Sequence, residues 1–311
     1  MSFKLPVINY KGRINEVALG SRKLLVGGQN AYNFHSFEGS FPHPVRLALD
    51  VWDCDPADNW PEVLRRAYEG VTGDPGAWAA KCVEYGADLI SLHLKSSDPA
   101  GLDTGGAEAV KAVGAVLEAV EVPVVVYGVG QAYKDQETLM AVCEAHAGQN
   151  LTIGPLTNNS YRKVAARAMA GGHAVIALSA TDVNLAEQLN ILLTDLGMPR
   201  DKILMDPTTA ALGYGMEYCY SVMERMEIGA LAVNGEELQQ PIINFLGEEV
   251  WRTKEVGLSS AEHPNLGAET ERGVMLETTA AITYLCAGSS ILSLCHPQSL
   301  KNVREFMSLM G

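Results

Sequence analysis

The 311-residue chain has no Cys-x-x-Cys pair; its six cysteines, Cys54, Cys82, Cys143, Cys219, Cys286 and Cys295, are scattered, several within apolar stretches. Clustered thiolates are what an iron–sulfur cluster or structural zinc requires, so neither is expected within this chain, and buried thiols in a reducing cytoplasm are the plain reading. Charge is scarce at 19%, below the usual quarter, and it is lopsided, with 23 basic residues against 37 acidic ones for a net −14. That balance, with no Lys/Arg-rich tract, argues against a nucleic-acid backbone as ligand. The low charge fits either a surface covered by a protein partner or a compact fold with short glycine turns. No apolar run reaches the length of a membrane helix, and the opening Met1-Ser2-Phe3-Lys4-Leu5-Pro6 carries no apolar signal segment.

Catalytic signatures are missing too. The seven histidines form neither His-x-x-x-His nor His-Glu-x-x-His. There is no Gly-x-Ser-x-Gly elbow, no phosphate-binding Gly-x-x-x-x-Gly-Lys-Ser/Thr, and no Gly-x-Gly-x-x-Gly after an early strand. No metal site and no independent catalytic residue is expected.

What is present is a rhythm. Eight apolar runs, ending near Asp53, Ser96, Gly130, Asn158, Thr181, Thr209, Gly247 and Pro297, are each followed by a helix-like segment. Eight strand–helix units predict an α/β fold, a (β/α)8 TIM barrel over residues 46–311, with an open doubly wound sheet as the alternative. Residues 1–45 are expected to form an N-terminal extension. Its two short strands, Val7 to Tyr10 and Arg22 to Val26, would make a hairpin covering one end of the barrel. Pro61 to Tyr68 suits a short helix inside a long connection, and 269–287, 291–295 and 300–310 read as helix, strand and closing helix. The helix after the fourth strand sets Val164, Ala165 and Ala168 beside Arg162, Lys163 and Arg167 and stops at Gly171-Gly172.

In such a barrel the ligand meets the C-terminal ends of the strands. There the sequence places Thr157 and Asn158, whose groups suit neutral polar ligand edges or a helix cap, and Ser179, Thr181, Asp206 and Thr208. Asp206 is the best single carboxylate at the mouth; Asp50 and Asp53 add nearby negative charge. Lys95 could hold an anion or anchor a loop, His93 is expected to satisfy an internal hydrogen bond, and His296 could carry a proton. Gly128, Gly130, Gly154 and Gly247 fit tight backbone geometry or clearance for a broad planar ligand.

Ala48-Leu49-Asp50-Val51-Trp52-Asp53, Gly86-Ala87-Asp88-Leu89-Ile90-Ser91-Leu92-His93-Leu94, Gly154-Pro155-Leu156-Thr157-Asn158-Asn159, Met205-Asp206-Pro207-Thr208-Thr209 and Asn265-Leu266-Gly267 carry a family resemblance along most of the chain. In combination they resemble the small subunit of the corrinoid iron–sulfur protein, the methyl carrier of the acetyl-coenzyme A (Wood–Ljungdahl) pathway. The resemblance implies a heterodimer with a larger subunit that holds the [4Fe-4S] cluster and most of the corrinoid (cobalamin) site. It further implies exchange with a methyltetrahydrofolate methyltransferase and with acetyl-CoA synthase, and an accessory role for this chain, capping the corrinoid with Gly128, Gly130, Thr157, Asn158, Ser179, Thr181, Asp206 and Thr208. Gly86-Ala87-Asp88 before a strand also occurs in pterin-binding barrels, so a methyltransferase binding methyltetrahydrofolate in its own barrel is the competing expectation. A barrel without cofactor contact is the third.

Overall fold

The computed structural model describes residues 6–56, 59–210 and 212–310; Met1–Leu5, read above for a signal segment, lie outside them. Eight parallel strands close into a barrel in the order β10-β3-β4-β5-β6-β7-β8-β9. They are β3 (Arg46–Trp52), β4 (Leu89–His93), β5 (Val124–Tyr127), β6 (Thr152–Leu156), β7 (Ala174–Leu178), β8 (Ile203–Asp206), β9 (Ile242–Phe245) and β10 (Ser289–Leu294). The ring closes where Leu292 pairs with Leu47 on β3 and with Asn244 on β9. The α-helices are α1 (Glu62–Ala67), α2 (Pro75–Glu84), α3 (Gly106–Ala119), α4 (Ala132–Ala145), α5 (Tyr161–Gly171), α6 (Val183–Asp195), α7 (Met216–Glu227), α8 (Gly247–Trp251), α9 (Lys254–Gly257), α10 (Glu269–Cys286) and α11 (Pro297–Met310).

Strand alternation divides the core in two. Leu47, Leu49 and Val51 of β3 join the large cluster packed beneath the helices, as do Ile90 and Leu92 of β4. The residues between them face inward, where Ala48, Leu89, Val125, Ile176, Leu204, Ile243 and Ile291 form a second cluster.

A hairpin completes that inner cluster. β1 (Glu16–Leu19) and β2 (Leu24–Gly27) pair antiparallel, and fully buried Val17, Leu19 and Val26 insert among the inner side chains. The barrel end opposite the mouth is thereby filled. The second hairpin strand, Leu24–Gly27, overlaps the Arg22 to Val26 strand expected from sequence, whereas the first lies later: Val7 and Ile8 are exposed coil, and the strand is Glu16–Leu19. Burial alternates there, because Val17 and Leu19 point into the barrel while Glu16 and Ala18 do not. At the same end one acid departs from the apolar pattern. Glu227, closing α7 against Gly288, is fully buried, its Oε2 has no hydrogen-bond partner, and burial pushes its pKa up to about 8.

Candidate functional site

At the C-terminal ends of the strands the inward positions turn polar. Two residues above Leu89 stands Ser91, and two above that His93; Tyr127 follows Val125, Asp206 follows Leu204, and Phe245 follows Ile243. His93, Tyr127, Asp206 and Phe245 line a cleft of about 270 Å³, with Gly130, Thr208 and Arg252 at its rim. Its wall is aromatic, with the Tyr127 and Phe245 ring centroids 4.2 Å apart and the His93 ring 5.8 and 5.6 Å from them.

Asp206 is held from both sides. The Tyr127 hydroxyl donates to Oδ2 at 2.6 Å, and the Thr208 backbone N–H donates to Oδ1 at 2.7 Å. Burial pushes its pKa up to about 6, against the opposing pull of those two donors. Tyr127 is driven well above the usual phenol range by burial and then by Asp206, so it remains the proton donor of the pair.

A second polar group lies deeper. Ser293 donates to Asp50 Oδ1 at 2.5 Å and is 2.6 Å from Ser91 Oγ, which links β10, β3 and β4 across the interior. His93 Nε2 lies 3.1 Å from the same Asp50 oxygen. Asp50 and Asp206 thus have no hydrogen-bond partner in common: one is held by Ser293 and Cys295, the other by Tyr127 and Thr208.

The rim is also built from local contacts. Asp135, on α4, accepts from the Val129 and Gly130 backbone N–H groups at 2.8 and 3.0 Å, and burial pushes its pKa up to about 6. A Cβ on Gly128 would fall on that carboxylate. The glycine is thus explained within the protein, not by clearance for a ligand. Gly154 and Gly247 are likewise crowded, by Ile176 and Cys295 respectively. Gly130 alone of the four faces open space, at φ +81°. Lys95 is spoken for: its ammonium sits 2.6 Å from Glu248 and over the Trp52 ring. Around these residues the mouth widens into a second hollow of about 670 Å³, flanked by Trp52, Trp60 and Trp251.

Of the residues expected from sequence, Gly128, Gly130, Asp206 and Thr208 line the cleft, and Thr157, Asn158, Ser179 and Thr181 do not. Thr157 belongs to the turn entering α5, receiving a hydrogen bond from Asn159 N–H and donating its own N–H to Ser160. Asn158 is exposed in that turn. Ser179 and Thr181 tie the end of β7 to β8 through backbone bonds to Asp206 and Pro207. His296 is stacked on Trp251 and lines an outer groove between α1, α2 and α11; burial lowers its pKa to about 4. Tyr127, Phe245 and Asp135 were not anticipated. The first two were findable, since each stands two residues beyond a buried inward position at a strand end. Among the described residues no group of three or more His, Cys, Asp or Glu could hold a metal ion, and no helix is long and apolar enough to cross a membrane.

A family model described as CO dehydrogenase/acetyl-CoA synthase delta subunit matches residues 16–287. The acetyl-CoA decarbonylase/synthase complex subunit delta of Archaeoglobus fulgidus is 35% identical over 97% of this chain and 69% of its own length. That of Methanothermobacter thermautotrophicus is 35% identical over 97% of this chain and 77% of its own. Among solved structures, dihydropteroate synthase of Xanthomonas albilineans with 4-aminobenzoic acid superposes with a TM-score of 0.59 at 14% identity, covering 88% of this chain and 96% of that one. The Thermus thermophilus enzyme gives 0.53 at 18%, covering 91% and 98%. At those identities the likeness is one of fold, a TIM barrel.

Proposed function

This chain belongs to the family of the CO dehydrogenase/acetyl-CoA synthase delta subunit, and on that premise we propose that it is the small subunit of a heterodimeric corrinoid iron–sulfur methyl carrier. It caps and positions the corrinoid while a methyl group passes from methyltetrahydrofolate, through a separate methyltransferase, to acetyl-CoA synthase. The observation that carries this reading is the extent of the match. Residues 16–287 take in the hairpin that fills one barrel end, strands β3–β9 that build the mouth at the other, and α10. Relatives described as subunits of a complex support partner subunits for this chain, and the larger corrinoid- and [4Fe-4S]-bearing subunit is the one we assign.

The mouth residues fit a cofactor resting on the rim. The cleft of about 270 Å³ is far smaller than a corrin ring with its side chains, and Gly130 leaves open space at its edge. Gly130, Thr208, Asp206 and the backbone beside Gly128 would meet the ring edge, with Thr157 and Asn158 further out on the rim. Ser179 and Thr181 would act at one remove, by fixing the backbone of Asp206 and Pro207. When bound, the corrinoid supplies the cobalt centre that takes up and gives away the methyl group. The chain's own part is positioning. Tyr127 and Thr208 occupy one acceptor site on each Asp206 oxygen, which anchors the carboxylate within the protein, beside a wall of packed aromatic rings.

The test is gentle purification from the native host, with mass analysis and a visible spectrum of the same peak. Co-elution with a larger iron–sulfur protein and a corrinoid spectrum is the expected result. A colourless homomer that binds methyltetrahydrofolate would overturn this reading in favour of a pterin-dependent methyltransferase.

A further inference from the structure

Helix α5 departs from a pattern that every other α-helix keeps except the last, α11, which also opens without an acid. Every other helix from α1 to α10 places an acid in its first turn, or an aspartate at its N-cap bonded to the first free N–H groups, as Asp74 and Asp182 do. Both devices answer the partial positive charge at a helix start. α5 has neither and opens instead with Tyr161-Arg162-Lys163. Ser160, at its N-cap, makes no side-chain capping bond, and its hydroxyl is turned back to the Thr157 N–H. Arg167 then stands four residues after Lys163, a like-charge pair on one face. The helix contains no acidic residue, in a chain with 37 of them.

Arg162, Lys163 and Arg167 are exposed, and the same outward face carries exposed Ala166 and Ala170, a floor of small residues between cations. Arg162 reaches the neighbouring Tyr161 ring and hydroxyl; among the described residues none of the three forms an ion pair. A helix that gathers cations at its positive end, without a neutralising neighbour, sacrifices local stability and shows no internal return for it.

We propose that the outward face of α5 is a docking surface for an acidic face of a partner protein, here another subunit of the complex to which the delta-subunit reading, on which this rests, assigns the chain. Its place fits that use. α5 starts directly after the Thr157–Ser160 turn at the end of β6, so a protein seated on it lies beside the mouth. Its chemistry points to a transient partner. The face is charged and small-featured, which speeds and orients encounter more than it secures a permanent interface.

The test measures association rates of the purified chain, wild type and R162E/K163E/R167E, with each of the other subunits of its own complex at low and high salt. A K111E/R225E/K301E variant, with the same charge change at exposed positions outside α5, serves as control. The expected result is a fall of roughly tenfold or more in the association rate for one subunit, with a flattened salt dependence, in the α5 variant but not in the control. Because the substitutions place acids at the helix start, the melting temperature of the α5 variant should stay level or rise, which separates lost docking from lost folding. Unchanged association of the α5 variant with every subunit that binds the wild type overturns the docking surface and leaves the delta-subunit reading intact. A wild-type chain that binds none of them overturns both.

Discussion

The two ends of the barrel are made by the same strands, and they differ by a step of two residues. At the hairpin end Leu89, Val125, Leu204 and Ile291 meet Val17, Leu19 and Val26, and the contacts are apolar. Two residues on, the same four strands present Ser91, Tyr127, Asp206 and Ser293, bound into hydrogen-bond networks with buried acids. Since side chains on one face of a strand recur every second residue, a single strand can spend one inward position on stability and the next on recognition. The comparison teaches that the division of labour runs along each strand and not between strands.

That division can be broken from either end. The largest effect should come from the sealed end: Leu19→Ala removes a fully buried side chain from the inner cluster and should cost about 2–4 kcal/mol in urea unfolding. A loss well under this range would mean that the hairpin is an ornament on a barrel that packs without it. A smaller effect of opposite sign is expected from Glu227→Gln, which tests the acid buried at that end. The carboxyl's pKa is raised from 4.5 to about 8, so the folded state binds its proton more tightly than the unfolded chain does. The stability this confers is fully present below about pH 4.5 and is lost as the pH rises through 8. Glu227→Gln should therefore stabilise by roughly 1–3 kcal/mol at pH 9 and change little at pH 4; equal effects at both would show that the glutamate is not held neutral. The smallest change belongs to the mouth. Tyr127→Phe removes one hydrogen bond and should cost about 1 kcal/mol. It also removes a donor that favours ionised Asp206, so the titration of that carboxyl, followed by infrared spectroscopy, should move above its value of about 6. A downward move would contradict the pairing.

The same two-residue step explains what could be read from the sequence. The eight strand ends and the long helices were legible because apolar runs, polar stops and three-to-four spacing are local signals; Pro61–Tyr68 was anticipated and α1 is Glu62–Ala67. The second hairpin strand was found near Arg22 to Val26, but the first was misplaced because Val7-Ile8-Asn9-Tyr10 has the stronger β-forming composition, whereas Glu16-Val17-Ala18-Leu19 owes its strand to a tertiary partner, the barrel interior. At the mouth, Asp206 and Thr208 could be found as polar residues after an apolar run. Tyr127 and Phe245 were hidden because they look like core, and Asp135 because it reaches back from a helix to a turn several residues earlier. The need for Gly128 became readable once the Asp135 carboxylate was seen in the space a side chain would fill.

The filled barrel end has a kinetic consequence. A vessel with one opening has no through-traffic, so whatever arrives at the mouth must withdraw before the next arrival can take its place. Val17, Leu19 and Val26, packed among the barrel's own inner side chains, leave the mouth as the approach to the inward polar residues, so any two ligands that used it would have to bind one after the other.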